Sequence, residues 1–110
     1  MADVHLWQNL SGPALAALAS ERCVAVLPVG AIEQHGPHLP LGTDTLIAQG
    51  LVGQALGRIE GEAIVLLLPS QAIGDSVEHG SFAGTLCHEP ETLIAAWCEI
   101  GAALARSGVF

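Results

Sequence analysis

Lysine is absent from this sequence of 110 residues. Arg22, Arg58 and Arg106 are the only fixed cations against eleven acidic side chains, giving a formal net charge of -8. Nucleic acids and anionic membrane surfaces are held by basic patches, so this balance speaks against both as partners. Long apolar runs are lacking too. The mean hydropathy is high at +0.53, yet the longest runs, CVAVLPVGAI and AIVLLLP, fall well short of the roughly 20 residues that a spanning helix needs. The stretch MADVHLWQNLSG ahead of the apolar PALAALAS contains Asp3 and no Lys or Arg, so a secretory signal is not expected. Cysteine is scarce: Cys23, Cys87 and Cys98 are odd in number and match neither zinc-ribbon nor disulfide spacing. A reducing, cytoplasmic setting is therefore expected.

What remains is an apolar chain, 51% hydrophobic and only 13% charged. This composition suits one folded core, with too few residues for a second domain. Ser11 followed by Pro13 signals a helix start, and the spacing of Leu15 and Leu18 predicts a helix over about 12–22. CVAVLPV, 23–29, is a β-branched run expected to form a strand covered on both faces. Thr43 or Asp44 can cap a second helix running to about 58, with Ile47, Leu51 and Ala55 on one face, closed by GRIEGE. Gly50, Gly53 and Gly57 lie inside it without phosphate-loop spacing, and close helix packing is their expected role.

AIVLLLP, 63–69, predicts a second buried strand. Glu89-Pro90 opens a third helix with Leu93, Trp97, Ile100 and Leu104 at helical spacing, ended by Ser107-Gly108. Val109 and Phe110 read as the opening of a further strand. The alternation predicts an α/β fold in three α/β/α layers around a mainly parallel sheet. Residues 1–110 are expected to form the N-terminal part of a single domain.

In open α/β sheets, ligands gather at the carboxyl ends of the strands. Two loops leave that edge here, and they contain Glu33, His35, His38, Asp44, Asp75, Ser76, Glu78 and His79. In extended backbone, Glu33 and His35 point to the same side with Cα atoms roughly 7 Å apart. That spacing suits side chains closing on two different ions, since metals in dinuclear hydrolytic sites lie about 3.5 to 4 Å apart. Asp44, brought back by turns at Pro37 and Pro40, can bridge both ions. Taken singly, Asp44 reads as a helix cap before a metal ligand, and Glu33 and His35 equally as an exposed polar pair. The constellation favours metal, because a glycine- and proline-rich loop after a buried strand is a poor place for an unpaired carboxylate and imidazole. Cys87-His88 reads as a structural cysteine, since adjacent side chains rarely converge.

The segment LPVGAIEQHGPHLPLGTDT, 27–45, resembles the signature of the creatininase (creatinine amidohydrolase) family, and SVEHGSFAGTL, 76–86, falls where that family has its second characteristic loop. The resemblance covers essentially the whole chain but about half of a family domain. It implies two divalent metal ions, zinc or manganese with iron as an alternative: Glu33 on one ion, His35 on the other, Asp44 bridging them. The family's remaining ligands come from a later NGH segment and its acid/base histidine from further on, neither of which this sequence contains. Family members usually carry Phe-Pro-Gly-Thr where this chain has Phe82-Ala83-Gly84-Thr85.

Together these readings point to a metal-dependent hydrolase of a non-peptide C–N bond, a cyclic amide or formamide, acting through a metal-activated water on a small-molecule amide. Ser76, Glu78 and His79 are expected to touch substrate or to support the ligands, and His38 to lie behind them. The resemblance also implies a homo-oligomer. Two alternatives stay open: a peptidase of the same family acting on a small precursor peptide, and a non-catalytic fragment that binds metal or serves assembly.

Overall fold

A computed structural model describes residues 1–110. Three short strands, β1 (Asp3–Leu6), β2 (Cys23–Val26) and β3 (Ile64–Leu67), form one fully parallel sheet in the order β1-β3-β2. The helices are α1 (Gly12–Leu18), α2 (Thr43–Leu56) and α3 (Pro90–Arg106), with 3-10 turns at Trp7–Asn9 and Val77–His79. The chain crosses the sheet from β1 to β2 through α1 and returns from β2 to β3 through α2. Crossovers between parallel strands are right-handed, so these opposite traverses put α1 and α2 on opposite faces. The α/β layering follows from that rule.

β3 is central because it is the most apolar strand. Ile64, Val65 and Leu66 are buried, as a strand flanked on both sides and covered on both faces requires. Ile64 and Leu66 share one face with Cys23 and Val109, against which Trp7, Leu10, Leu15 and Leu18 pack. Each partner strand runs in register with it, Asp3 and Cys23 both opposite Ile64.

Several local expectations are corrected. β1 is a strand the sequence did not announce: DVHL is four residues long, and its alternating polar positions, Asp3 and His5, suit an edge. β2 ends at Val26, since Pro28 has no N–H to extend the ladder. It is also an edge strand whose Val24 is half exposed, not a strand covered on both faces. α1 stops at Leu18, whose carbonyl accepts the Cys23 thiol at 3.1 Å. Its start is as expected, with Ser11 Oγ accepting from the Ala14 N–H.

In α2, Gly42 holds the capping position, and neither Thr43 nor Asp44 caps through its side chain; Thr43 Oγ1 donates to the Pro40 carbonyl at 2.6 Å instead. Ile47 and Leu51 are exposed, Leu51 by 66%, and α2 has no buried residue. Nothing lies within 4 Å of a Cβ built on Gly50 or Gly53, so these glycines serve no close packing. Val109 and Phe110 form no strand: Val109 inserts into the core, its carbonyl accepting from the Ser20 N–H, and Phe110 stacks on Trp7. Cys87 is exposed and plays no part in a core.

Candidate metal centre

Past β2 and β3 the chain continues as two loops that stay attached to one another. Gln71 donates from its N–H to the Pro28 carbonyl, and Gly30 donates back to the Gln71 carbonyl, both at 2.9 Å. The loops approach so closely that a Cβ on Gly74 would sit 2.5 Å from the Gly30 carbonyl oxygen, and one on Gly30 would overlap Thr45. Thr45 completes the junction: its hydroxyl lies 3.2 Å from the Ala31 carbonyl and 3.3 Å from that of Ala72. The first turn of α2 is thereby held against both loops.

Further out, Ile32 and Leu86 pair in a short antiparallel bridge, and Gln34 donates from its backbone to Thr85 Oγ1. Glu33 donates from its backbone to the Leu41 carbonyl, folding residues 33–41 back on themselves. This brings Asp44, at the start of α2, beside Glu33 and His35. One ligand atom from each of the three lies within 4.8 Å of those of the other two.

The orientation of His35 is informative. Its Nδ1 sits 3.1 Å from the Glu33 carbonyl oxygen. A carbonyl only accepts, so Nδ1 carries the proton, and a neutral ring then has its lone pair on Nε2. That nitrogen faces Asp44 Oδ2 at 3.5 Å, beyond ordinary hydrogen-bond length. Asp44 Oδ2 is itself buried and has no hydrogen-bond partner. A divalent cation between these two atoms would satisfy both, the role that a proton on Nε2 fills in a plain His–Asp pair. An imidazole and two carboxylates suit a divalent transition metal such as zinc or manganese, so the residues present fit such an ion.

The remaining expected site residues are spread more widely. Glu78 and His79 lie on the 3-10 turn of the second loop, with His79 Nε2 3.9 Å from both Glu33 Oε2 and Glu78 Oε1. Ser76 is fully buried, and its hydroxyl has no partner. His38 is exposed at the turn after Gly36 and belongs to neither cluster of ligand-bearing side chains. Asp75 Oδ1 accepts from the Val77 N–H and so shapes the turn carrying Glu78 and His79. Sequence reasoning passed over Thr45 and Gly74, which hold the loops in place. A hydroxyl one residue after Asp44, at the start of a helix, was the available signal for Thr45.

Residues 8–110 match the family model for creatininase, described as creatinine amidohydrolase. Among characterised relatives, the mycofactocin precursor peptide peptidase of Mycobacterium tuberculosis (strain H37Rv) is 42% identical over 82 residues, covering 69% of this chain and 33% of its own. The creatinine amidohydrolase of Pseudomonas putida is 33% identical over 98 residues, covering 84% and 36%. A crystal structure of creatinine amidohydrolase (creatininase) superposes with a TM-score of 0.75 at 30% identity, covering 92% of this chain and 40% of that one. A structure described as creatininase with Mn gives 0.74 at 27% identity, covering 99% and 42%. The chain thus spans about a third to two-fifths of the length of these proteins.

Proposed function

The chain belongs to the creatininase (creatinine amidohydrolase) family of hydrolases, and from that premise we propose that the intact protein cleaves an amide C–N bond at a dinuclear metal site to which Glu33, His35 and Asp44 contribute. The observation that carries this reading is the unpartnered Asp44 Oδ2 facing the lone pair of His35 Nε2 beside the Glu33 carboxylate. When bound, divalent ions supply Lewis acidity at the carbonyl and lower the pKa of a coordinated water toward neutrality.

The chain's own residues fix where that chemistry happens. The Glu33 carbonyl orients the His35 ring and leaves Nε2 free to ligate. Asp44 sits in the first turn of α2 and makes no capping bond there, so its carboxylate is available as a ligand. Thr45, Gly30 and Gly74 hold the loop roots together, so the ligands arrive preorganised. Ser76, the fully buried residue of the second loop, is proposed to support the ligands from within that loop, and His38 to lie behind them; the solvent-facing edge above receives the amide.

For the substrate, the identities favour a peptide. The relative acting on a precursor peptide is 42% identical, against 33% for the one acting on creatinine. Cleavage of a small precursor peptide therefore leads, and opening of a cyclic amide is the second reading, supported by the longer match to the creatinine amidohydrolase. Activity in the cytoplasm and as a homo-oligomer completes the proposal.

The test is turnover by the intact protein on a short peptide and on creatinine, followed by mass spectrometry. Chelation should abolish cleavage, added Mn²⁺ or Zn²⁺ should restore it, and Asp44→Asn should lower it by more than about 100-fold. Unchanged turnover after chelation, or in the Asp44→Asn protein, would overturn the proposal.

A further inference from the structure

Glu33 faces a second group of ligand-bearing side chains. Besides His35 and Asp44, it approaches Glu78 and His79, and one ligand atom from each of Glu33, Glu78 and His79 lies within 4.8 Å of the other two. His79 Nε2 is 3.9 Å from Glu33 Oε2 and 3.9 Å from Glu78 Oε1. Neither separation is a hydrogen bond. Both exceed the roughly 3.3 to 3.6 Å between two ligands of a tetrahedral ion with bonds of about 2.0 to 2.2 Å, by a margin that small side-chain rotations close.

The Glu33 side chain is only 14% exposed, and within the chain no hydrogen bond reaches its carboxylate. A carboxylate removed from water to that extent requires compensation. The second loop presents His79 to it by specific means: His79 donates from its backbone to the Ser76 carbonyl, the Phe82 N–H donates to the His79 carbonyl, and the Phe82 ring lies against the imidazole. The Ile32–Leu86 bridge ties that loop to the strand end carrying Glu33.

We propose that Glu33, Glu78 and His79 form a further divalent-cation site, neighbouring the one at Glu33, His35 and Asp44 and sharing Glu33 with it. A carboxylate has two oxygens and can serve an ion on each side. One imidazole and two carboxylates select a transition ion of the zinc or manganese kind over calcium or magnesium, which take oxygen ligands. Exposure rises from 14% at Glu33 through 33% at His79 to 68% at Glu78, against 22% at His35 and 40% at Asp44, so through Glu78 this outer site is the more open of the two and the site at His35 and Asp44 the inner one. It shares only Glu33 with the proposed active site and needs neither His35 nor Asp44.

Zn²⁺ titration by calorimetry, with metal analysis after gel filtration, separates the two sites. With His35→Ala and Asp44→Asn combined, the protein should still bind Zn²⁺ at the outer site, and adding Glu78→Gln and His79→Gln should abolish that binding. Glu78 is largely exposed, so Glu78→Gln alone leaves the fold intact and should weaken outer-site affinity at least about tenfold; circular dichroism checks each variant. Loss of all binding in the His35→Ala/Asp44→Asn protein, with its fold retained, would overturn the outer site without touching the inner one. Outer-site affinity unchanged by Glu78→Gln would overturn it as well. Wild-type binding that survives Glu78→Gln/His79→Gln but disappears with Asp44→Asn would uphold the inner site alone.

Discussion

The Glu33 carbonyl holds the proton-bearing side of His35, and this fixes which nitrogen is available to a metal. Asp44 has a comparable local explanation: at the first turn of α2 it caps nothing, so its carboxylate is free to face His35. Spacing alone could not separate cap from ligand, because both uses require a carboxylate at a helix start. The distinction lies in Gly42 taking the cap position and in Thr43 donating back to Pro40. Gly74 is the residue most exposed to a steric test, since a methyl there would meet the Gly30 carbonyl oxygen at 2.5 Å. Gly74→Ala should destabilise the protein by about 1 to 3 kcal/mol, read as a lower urea midpoint, and should loosen metal binding with it. An unchanged midpoint would mean that the loops part without cost.

At the scale of elements, what the sequence revealed depended on burial. β3 was legible because AIVLLLP is apolar on both faces, and α3 because Leu93, Trp97, Ile100 and Leu104 recur at helical spacing. β1 was not: its identity comes from pairing with β3, a contact some 60 positions distant that no local pattern encodes. The convergence of Glu33, His35 and Asp44 was legible as a constellation, whereas the approach of Glu78 and His79 to Glu33 depends on the Ile32–Leu86 bridge and was not. α2 differs from both cases. It forms as expected, yet Leu46, Ile47 and Leu51 stay exposed and Gly50 and Gly53 face open space. Gly50→Ala and Gly53→Ala should therefore each stabilise by about 0.5 to 1 kcal/mol, raising the thermal midpoint. A fall at either position would show that the helix packs closely in solution after all.

At the scale of the molecule, the radius of gyration is 16.1 Å, where a compact domain of this length has about 13 Å. Only 11 of 110 residues are buried, and Val24, Leu46, Ile47, Leu51, Leu86 and Ile94 all leave apolar surface open. Surface of this kind favours association. The 110-residue chain should elute above its monomer mass of 11.3 kDa in size-exclusion chromatography with light scattering. Ile47→Glu with Leu51→Glu should shift it toward that mass; a strictly monomeric wild-type chain would contradict this. No helix is long and apolar enough to cross a membrane.

Whether Glu33, His35 and Asp44 hold metal underlies both the hydrolytic chemistry and the placement of the loops. Metal analysis of the protein purified without chelators, compared with its Asp44→Asn variant, addresses this most directly. The wild-type protein should carry zinc, manganese or iron, and Asp44→Asn should lose the ion at the His35 site while keeping its secondary structure. A wild-type protein free of these metals, or an Asp44→Asn protein with undiminished metal content, would contradict the assignment.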